Sequence, residues 1–318
     1  MKTKSLFKIK NPELFQGEKY LENKKDYFEG WYFKNINMDN GISFIPGISI
    51  NNGKKCCFIQ IITNDKSYYV NYDISDFKHC DDPFYIKIGK NYFSKDKLHI
   101  DIKEREQDLV IHGDINYYDS INIDTSSFSP NIMGPFSYIP FMECNHAILS
   151  MKSKITGYIN INKKKISFNN GIGYIEKDYG CSFPNKYIWI QGNNFDNENV
   201  SFMCSIANIP FLLFNFRGLI CSLIIDGCEY RFATYNNSKI IRYDVNDDKI
   251  NIILKKGDYF LYIEAIDCDG LKLVAPVKGE MNRDIKESIS AVIKIELRKK
   301  DKIIYSGTSK NCGFEIVR

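Results

Sequence analysis

Two carboxylates, Glu176 and Asp178, stand among aromatic and aliphatic side chains in the run GYIEKDYGCSFPNKYIWIQGNNF, residues 173–195. Charged side chains are rarely buried unless they are paired or needed. If this run is a strand, residues two apart share a face. Tyr174, Glu176 and Asp178 then line one side, with the acids about 7 Å apart, and Ile175, Lys177 and Tyr179 line the other. Past Pro184, Tyr187, Trp189, Gln191 and Asn193 share a face, and Ile188 and Ile190 occupy its reverse. If the polar and aromatic faces point inward, the interior holds acids, amides and rings, which is a ligand site and not a plain core. If they point outward, the acids are solvated. A third arrangement pairs the acids with Arg217 or Arg283 and makes them part of the fold. Parity leaves all three open.

Other residues have the same mixed character. In YFEGWYFK (27–34), Glu29, Trp31 and Phe33 share a face, and Gly30 precedes the first of the chain's 2 Trp. This start is similar to that of lipocalins, where the tryptophan closes the barrel floor, so Trp31 reads first as a plug and second as a ligand contact. Glu143 and His146 end the apolar stretch SPNIMGPFSYIPFMECNH (129–146). Its three prolines forbid a central strand, which leaves a packed plug or a pocket wall. Arg283 and Glu287 are four apart and read as a local ion pair, on a short helical turn at 280–287.

The elements that must position these residues are strands. Alternating or β-branched runs occur at 27–34, 56–63, 67–74, 97–103, 108–118, 154–161, 171–179, 187–195 and 200–207. They continue at 218–225, 229–235, 250–255, 259–266, 290–298 and 302–309. Asp-Asn-Gly at 39–41, Asn-Asn-Gly at 51–53 and Asp-Gly at 226–227 separate some of them at hairpin spacing. No amphipathic helix of three turns is evident. The pattern predicts an all-β protein of two consecutive antiparallel β-barrels, with about eight to ten strands in each. The joint falls near 182–186, where Ser-Phe-Pro-Asn-Lys interrupts two strong strands. The predicted domains are therefore 1–182 and 183–318.

Several classes are disfavoured. A formal charge of +4 over 318 residues, with dispersed lysines, gives no sign of a nucleic-acid partner. The first sixteen residues lack the apolar region of a secretory signal. The apolar stretch 206–216 is short and broken by Asn208, Pro210 and Asn215, so a transmembrane segment is not expected. Transient membrane contact at Phe211–Phe216 is left open. The 10 Cys form no C-x-x-C pair and read as reduced thiols in a cytoplasmic protein. The 4 His show no metal-ligand spacing, so no metal is expected. Nucleotide, zinc-hydrolase and α/β-hydrolase motifs are lacking.

The segments FEGWYFK (28–34), GPFSYIPFMECNH (134–146) and 173–195 resemble, in that order, signature segments of the tocopherol cyclase family. LVAP (273–276), followed by Met281 and Arg283, resembles it too. One departure is Tyr179, where the family commonly has Trp. The resemblance implies that the two barrels are lipocalin-like and enclose a cavity for a lipophilic, prenylated small molecule. It also implies a cofactor-independent cyclisation in which an alkene is protonated and a phenol oxygen captures the tertiary cation. Glu176 and Asp178 would be catalytic. Tyr174, Tyr187, Trp189, Gln191, Asn193, Glu29, Trp31, Glu143 and His146 would contact the substrate. A related hydration or isomerisation has the same needs. The alternative function is a non-catalytic, lipocalin-like carrier of a hydrophobic ligand, and the oligomeric state is open.

Overall fold

The computed structural model describes residues 2–23, 25–38, 40–140, 142–211, 214–246, 248–267 and 270–318. They form an all-β protein with two antiparallel sheets and two short helices, α1 (Lys2–Lys10) and α2 (Glu18–Asn23). The chain divides into two compact units. The first comprises residues 1–122, 143–183 and 273–284, and the second 123–142, 184–272 and 285–318.

The sheet of the first unit uses β1 (Tyr27–Ile36), β2 (Gly41–Asn51), β3 (Lys54–Thr63), β4 (Ser67–Asp73), β5 (Phe77–Asp81) and β6 (Phe84–Ile88). It continues with β7 (Asn91–Phe93), β8 (Lys97–Glu104), β9 (Leu109–Ile121), β10 (Cys144–Ile161), β11 (Lys164–Ser167) and β12 (Gly171–Gly180). The spatial order is β4-β3-β2-β1-β12-β10-β9-β8-β7-β6-β5, with β11 on β10. The edge strands β4 and β5 follow one another in the chain, joined by the 3₁₀ turn Ile74–Asp76.

The second sheet is built from β13 (Tyr187–Gly192), β14 (Val200–Phe211), β15 (Phe214–Ile225), β16 (Cys228–Ala233), β17 (Lys239–Val245) and β18 (Lys249–Lys256). β19 (Tyr259–Ile266), β20 (Leu271–Val277), β21 (Glu280–Lys299) and β22 (Lys302–Val317) complete it. Its order is β16-β15-β14-β13-β22-β21-β19-β18-β17, with β20 on β21. Here too the edge strands, β16 and β17, are consecutive, linked by residues 234–238.

Each unit has its own apolar core. In the first, Phe15, Trp31, Phe33, Phe44, Ile100, Ile111, Phe93 and Ile175 pack together. In the second, Ile188, Ile190, Phe202, Leu223, Leu261 and Ile295 do so. The stretch 129–146 is irregular as far as a 3₁₀ turn at Gly134–Tyr138 and enters β10 at Cys144. Within the second unit it is tied down by the Tyr235 hydroxyl, which donates to the Ile132 carbonyl at 2.9 Å. Gly134 fits beneath the Tyr235 ring, where a Cβ would meet Cζ at 2.6 Å.

Two expectations are corrected. Residues 280–287 are extended in β21 and not helical. Arg283 and Glu287 are therefore four apart along a strand, about 13 Å at the strand rise, and the helical basis for a local ion pair between them falls away. The segment 41–51, absent from the expected strands, is an inner strand despite Pro46. The β1–β2 ladder runs from Tyr27 to Gly30, lapses opposite Pro46, and resumes at Phe33–Phe44. A residue without an N–H is tolerated where the ladder breaks.

Candidate functional site

Register decides which side chains share a face. Trp31 lies opposite Lys177, Phe33 opposite Ile175 and Glu29 opposite Tyr179 across β1 and β12. Trp31, Phe33 and Ile175 belong to the apolar core, so this face is the inner one. The expected parity holds, and the face carrying Tyr174, Glu176 and Asp178 is the reverse of the core face. It is not a solvated face: Tyr174 is 0% exposed and Glu176 5%.

The inner face holds an ion pair among aromatics. Lys177 Nζ is 2.5 Å from Glu29 Oε1, and both side chains are 0% exposed. The ammonium donates to the carbonyls of Pro12 at 2.9 Å and Leu14 at 2.5 Å, and sits 4.7 Å above the Trp31 ring. Glu29 accepts from the Tyr27 hydroxyl at 2.6 Å and from the Gln16 N–H at 2.9 and 3.0 Å. Trp31 Nε1 donates to the Glu13 carbonyl. Burial holds the Lys177 ammonium below the ordinary lysine value, with the Glu29 charge opposing that shift. Glu29 and Trp31, expected as substrate contacts, thus hold residues 12–16 against the core and are not grouped with Glu176.

The reverse face gathers ionisable groups from three strands. Asp178 pairs with Gly30 on β1 and His146 on β10, and Glu176 pairs with Tyr32 and Ile148. His146 Nδ1 is 2.9 Å from Asp178 Oδ1, and its Nε2 is 3.4 Å from Glu176 Oε2. The Tyr174 hydroxyl donates to Glu176 Oε2 at 2.5 Å. One imidazole therefore stands between two carboxylates, and a phenol caps one of them. Burial, and next the neighbouring Glu176 carboxyl, push the Tyr174 phenol well above its usual value. Burial, and next Asp178, do the same to the Cys144 thiol. Such an array can hold a proton away from water and release it to a bound molecule.

The His146, Glu176 and Asp178 ligand atoms also lie within 4.8 Å of one another, a donor set a divalent cation could use. Sequence spacing carried no sign of it, because the three come from two strands.

Glu143 precedes β10 and is half-buried. Burial raises its carboxyl, with the Arg283 charge acting against that. Its carbonyl accepts from the Cys181 N–H at 2.8 Å and lies so near Gly180 that a Cβ there would sit 2.2 Å from the oxygen. Sequence reasoning missed Tyr32 and Lys34. Lys34 is 1% exposed and stands opposite Tyr174, and the Tyr32 ring meets Tyr174 edge-on at 6.4 Å. Their parity in the YFEGWYFK run was the available signal, since they alternate with Trp31 and Phe33.

In the second unit the same division holds along β13. Ile188 and Ile190 face the core, while Tyr187, Trp189 and Gln191 alternate with them; these three and Asn193, just past the strand, are at most 7% exposed. Trp189 lies across Gly313, where a Cβ would come within 2.4 Å of its ring. Glu315 is opposite Trp189, and Glu287 is opposite Glu315; both acids are buried. Sequence reading passed over this second acidic pair because its members are 28 residues apart on strands it did not extend that far.

The chain is similar to known proteins over part of its length. A rice protein (Oryza sativa subsp. japonica) described as "Probable tocopherol cyclase, chloroplastic" is 32% identical over 76 residues, 24% of this chain and 16% of its own length. The "Tocopherol cyclase, chloroplastic" of Zea mays is 33% identical over 72 residues, 23% of this chain and 15% of its own. The match thus spans about a sixth of the length of these curated relatives. The crystal structure of CghA with Sch210972 superposes with a TM-score of 0.56 at 6% identity, covering 92% of this chain and 88% of that one. At that identity the likeness is one of fold alone. The family model described as tocopherol cyclase-like matches residues 123–317, well over half of the sequence, and the chain belongs to that family.

Proposed function

We propose that this protein is a cofactor-independent, tocopherol cyclase-like enzyme that ring-closes a lipophilic, prenylated small molecule by protonating an alkene. The observation that carries the proposal is the array of Tyr174, Glu176, His146 and Asp178, in which Tyr174 and Glu176 are buried and His146 and Asp178 partly so. Alkene protonation needs a neutral carboxyl in a dry site. Glu176, the more buried of the two acids, is assigned as donor. Its proton adds to one alkene carbon and leaves a tertiary cation at the other. The substrate hydroxyl forms the new C–O bond, and its proton returns to Glu176, so the product is an isomer of the substrate. Asp178 orients His146 through its contact with Nδ1. The rings of Tyr174 and Tyr32 stabilise the cation by about 0.5–2 kcal/mol each. In the second unit, the buried face of Tyr187, Trp189, Gln191 and Asn193 is proposed as ligand-binding surface.

We further propose that each sheet rolls into a lipocalin-like barrel. The support is topological: eleven strands laid flat would set β4 and β5 about 48 Å apart, yet three residues join them. Three linking residues reach only about 10 Å or slightly more. The same reasoning applies to β16 and β17.

The test is turnover of a prenylated hydroquinone, followed by chromatography for a product of unchanged mass. Glu176→Gln is expected to lower the rate at least about 100-fold, with the circular dichroism spectrum kept. Asp178→Asn should lower it less, and a chelator should leave it unchanged. Undiminished turnover by Glu176→Gln would sink the assignment. A carrier is the second reading, favoured by the direct opposition of His146 and Asp178 in the β10–β12 ladder, which ties two strands whatever is bound. A carrier would retain a co-purifying lipophile in native mass spectrometry, convert none of it, and keep it after Glu176→Gln.

A further inference from the structure

We infer that α1 docks this protein on an anionic lipid surface. The inference goes beyond the acid site and does not depend on it. The first ten residues, MKTKSLFKIK, contain four Lys and no acid. The whole chain has 43 Lys and Arg against 39 Asp and Glu, so the rest is balanced at 39 of each. The entire formal excess of +4 therefore resides in this one helical segment.

The helix is held by its inner side. Lys8 Nζ donates to the Phe15 carbonyl at 2.6 Å and lies 3.3 Å from Glu18 and 3.6 Å from Asp81. Gln16 Nε2 donates to the Lys8 carbonyl, and Asn11 Nδ2 to that of Phe7. Lys8 is thus consumed by the fold and fixes the orientation of α1. At 100° per residue, positions two before and two after Lys8 lie about 160° away from it. Those positions are Leu6 and Lys10, and both are exposed. Leu6 is 49% exposed and its neighbour Phe7 58%. Two large apolar side chains beside an exposed lysine, on a helical segment with four Lys and no acid, are the composition of an interfacial helix. Its occupant must accept apolar groups and positive charge together, which an anionic bilayer surface does. Such a short helix gives weak, reversible, salt-sensitive attachment.

The test is vesicle flotation of the full chain with phosphatidylcholine vesicles, with and without about 30% phosphatidylglycerol. Binding should require the anionic lipid and fall about tenfold as salt rises from about 50 to about 300 mM. Leu6→Ser with Phe7→Ser should weaken it at least about tenfold, and Lys10→Glu should weaken it less. Both sites are exposed, so the melting temperature should not move. Equal binding to neutral vesicles, or unchanged binding by the double variant, overturns the inference. So does a double variant that turns a dimer into a monomer while neither form binds vesicles, which would make the helix a protein contact. Turnover of a water-dispersed substrate should be the same in the double variant, so failure here is distinguishable from failure of the acid-site proposal.

Discussion

Lys177→Met tests the account of the first unit's interior most directly. The substitution removes an ammonium that is 2.5 Å from Glu29 and donates to the carbonyls of Pro12 and Leu14. It leaves Glu29 charged at 0% exposure, held only by the Tyr27 hydroxyl and the Gln16 amide. Stranding a buried charge costs about 3–5 kcal/mol, and each orphaned carbonyl adds about 1 kcal/mol or more. A total of about 5 kcal/mol should lower the melting temperature by roughly 10–20 °C for a unit of this size. Because burial already opposes the charged lysine, removing both charges should recover much of the loss. Glu29→Gln with Lys177→Met should thus be less destabilised than the sum of the single variants by about 2–3 kcal/mol. Urea unfolding supplies the free energies. Limited proteolysis should show earlier cleavage near Phe15, since residues 12–16 lose their anchor. A Lys177→Met protein melting within about 2 °C of the parent would refute the reasoning.

Other outcomes follow from the same contacts. Burial raises the phenols of Tyr27, Tyr117, Tyr174 and Tyr179 above the ordinary 10.0. The folded state holds these protons more tightly, so their contribution is complete below pH 10.0 and is lost above it; absorbance at about 295 nm should show these tyrosines ionising only with unfolding. Glu143 is raised from 4.5 by burial, so its contribution is complete below pH 4.5 and is lost as pH climbs through the folded value. Glu143→Gln should therefore stabilise the protein at pH 7 and leave it unchanged at low pH, read as melting temperature against pH. Among the nine described cysteines, all free thiols, exposed Cys228 should be alkylated well before Cys57, whose thiol is pushed up to about 12, by mass-spectrometric peptide mapping.

The sequence was informative where periodicity is local and silent where partners are distant. The alternation of Tyr174, Glu176 and Asp178 against Ile175, Lys177 and Tyr179 is a property of six consecutive residues, and it appears as read. Which face is inner was not legible, because both faces mix charge with rings: Glu29 and Lys177 on one, Glu176 and Asp178 on the other. The choice follows from register, and the Glu29–Lys177 and His146–Asp178 pairs join residues 148 and 32 apart. The helices α1 and α2 escaped notice because neither reaches three turns. The strands β5, β6 and β7 are short hairpins of mixed polarity with no strong alternation.

The alternation also links the two faces mechanically. Lys177 lies between Glu176 and Asp178 in the chain, and its side chain is clamped from the opposite direction by Glu29, two carbonyls and the Trp31 ring. A strand fixed at one residue by a buried, fully satisfied ammonium has little freedom to rotate its neighbours. The backbone beneath both acids is thereby anchored by the core, and the groups they contact orient their side chains. In β1 the same logic holds Tyr32 between Trp31 and Phe33, each 0% exposed. A proton donor must stay within a few tenths of an ångström of its working position to be effective. The two charges buried in the core, costly for stability on their own, thus sit where they confer rigidity on the acid array behind them. This requires that a Lys177→Met protein, assayed well below its lowered melting temperature, lose turnover even though Lys177 faces away from Glu176. Full activity in a folded variant would show that the array is held by its own hydrogen bonds alone.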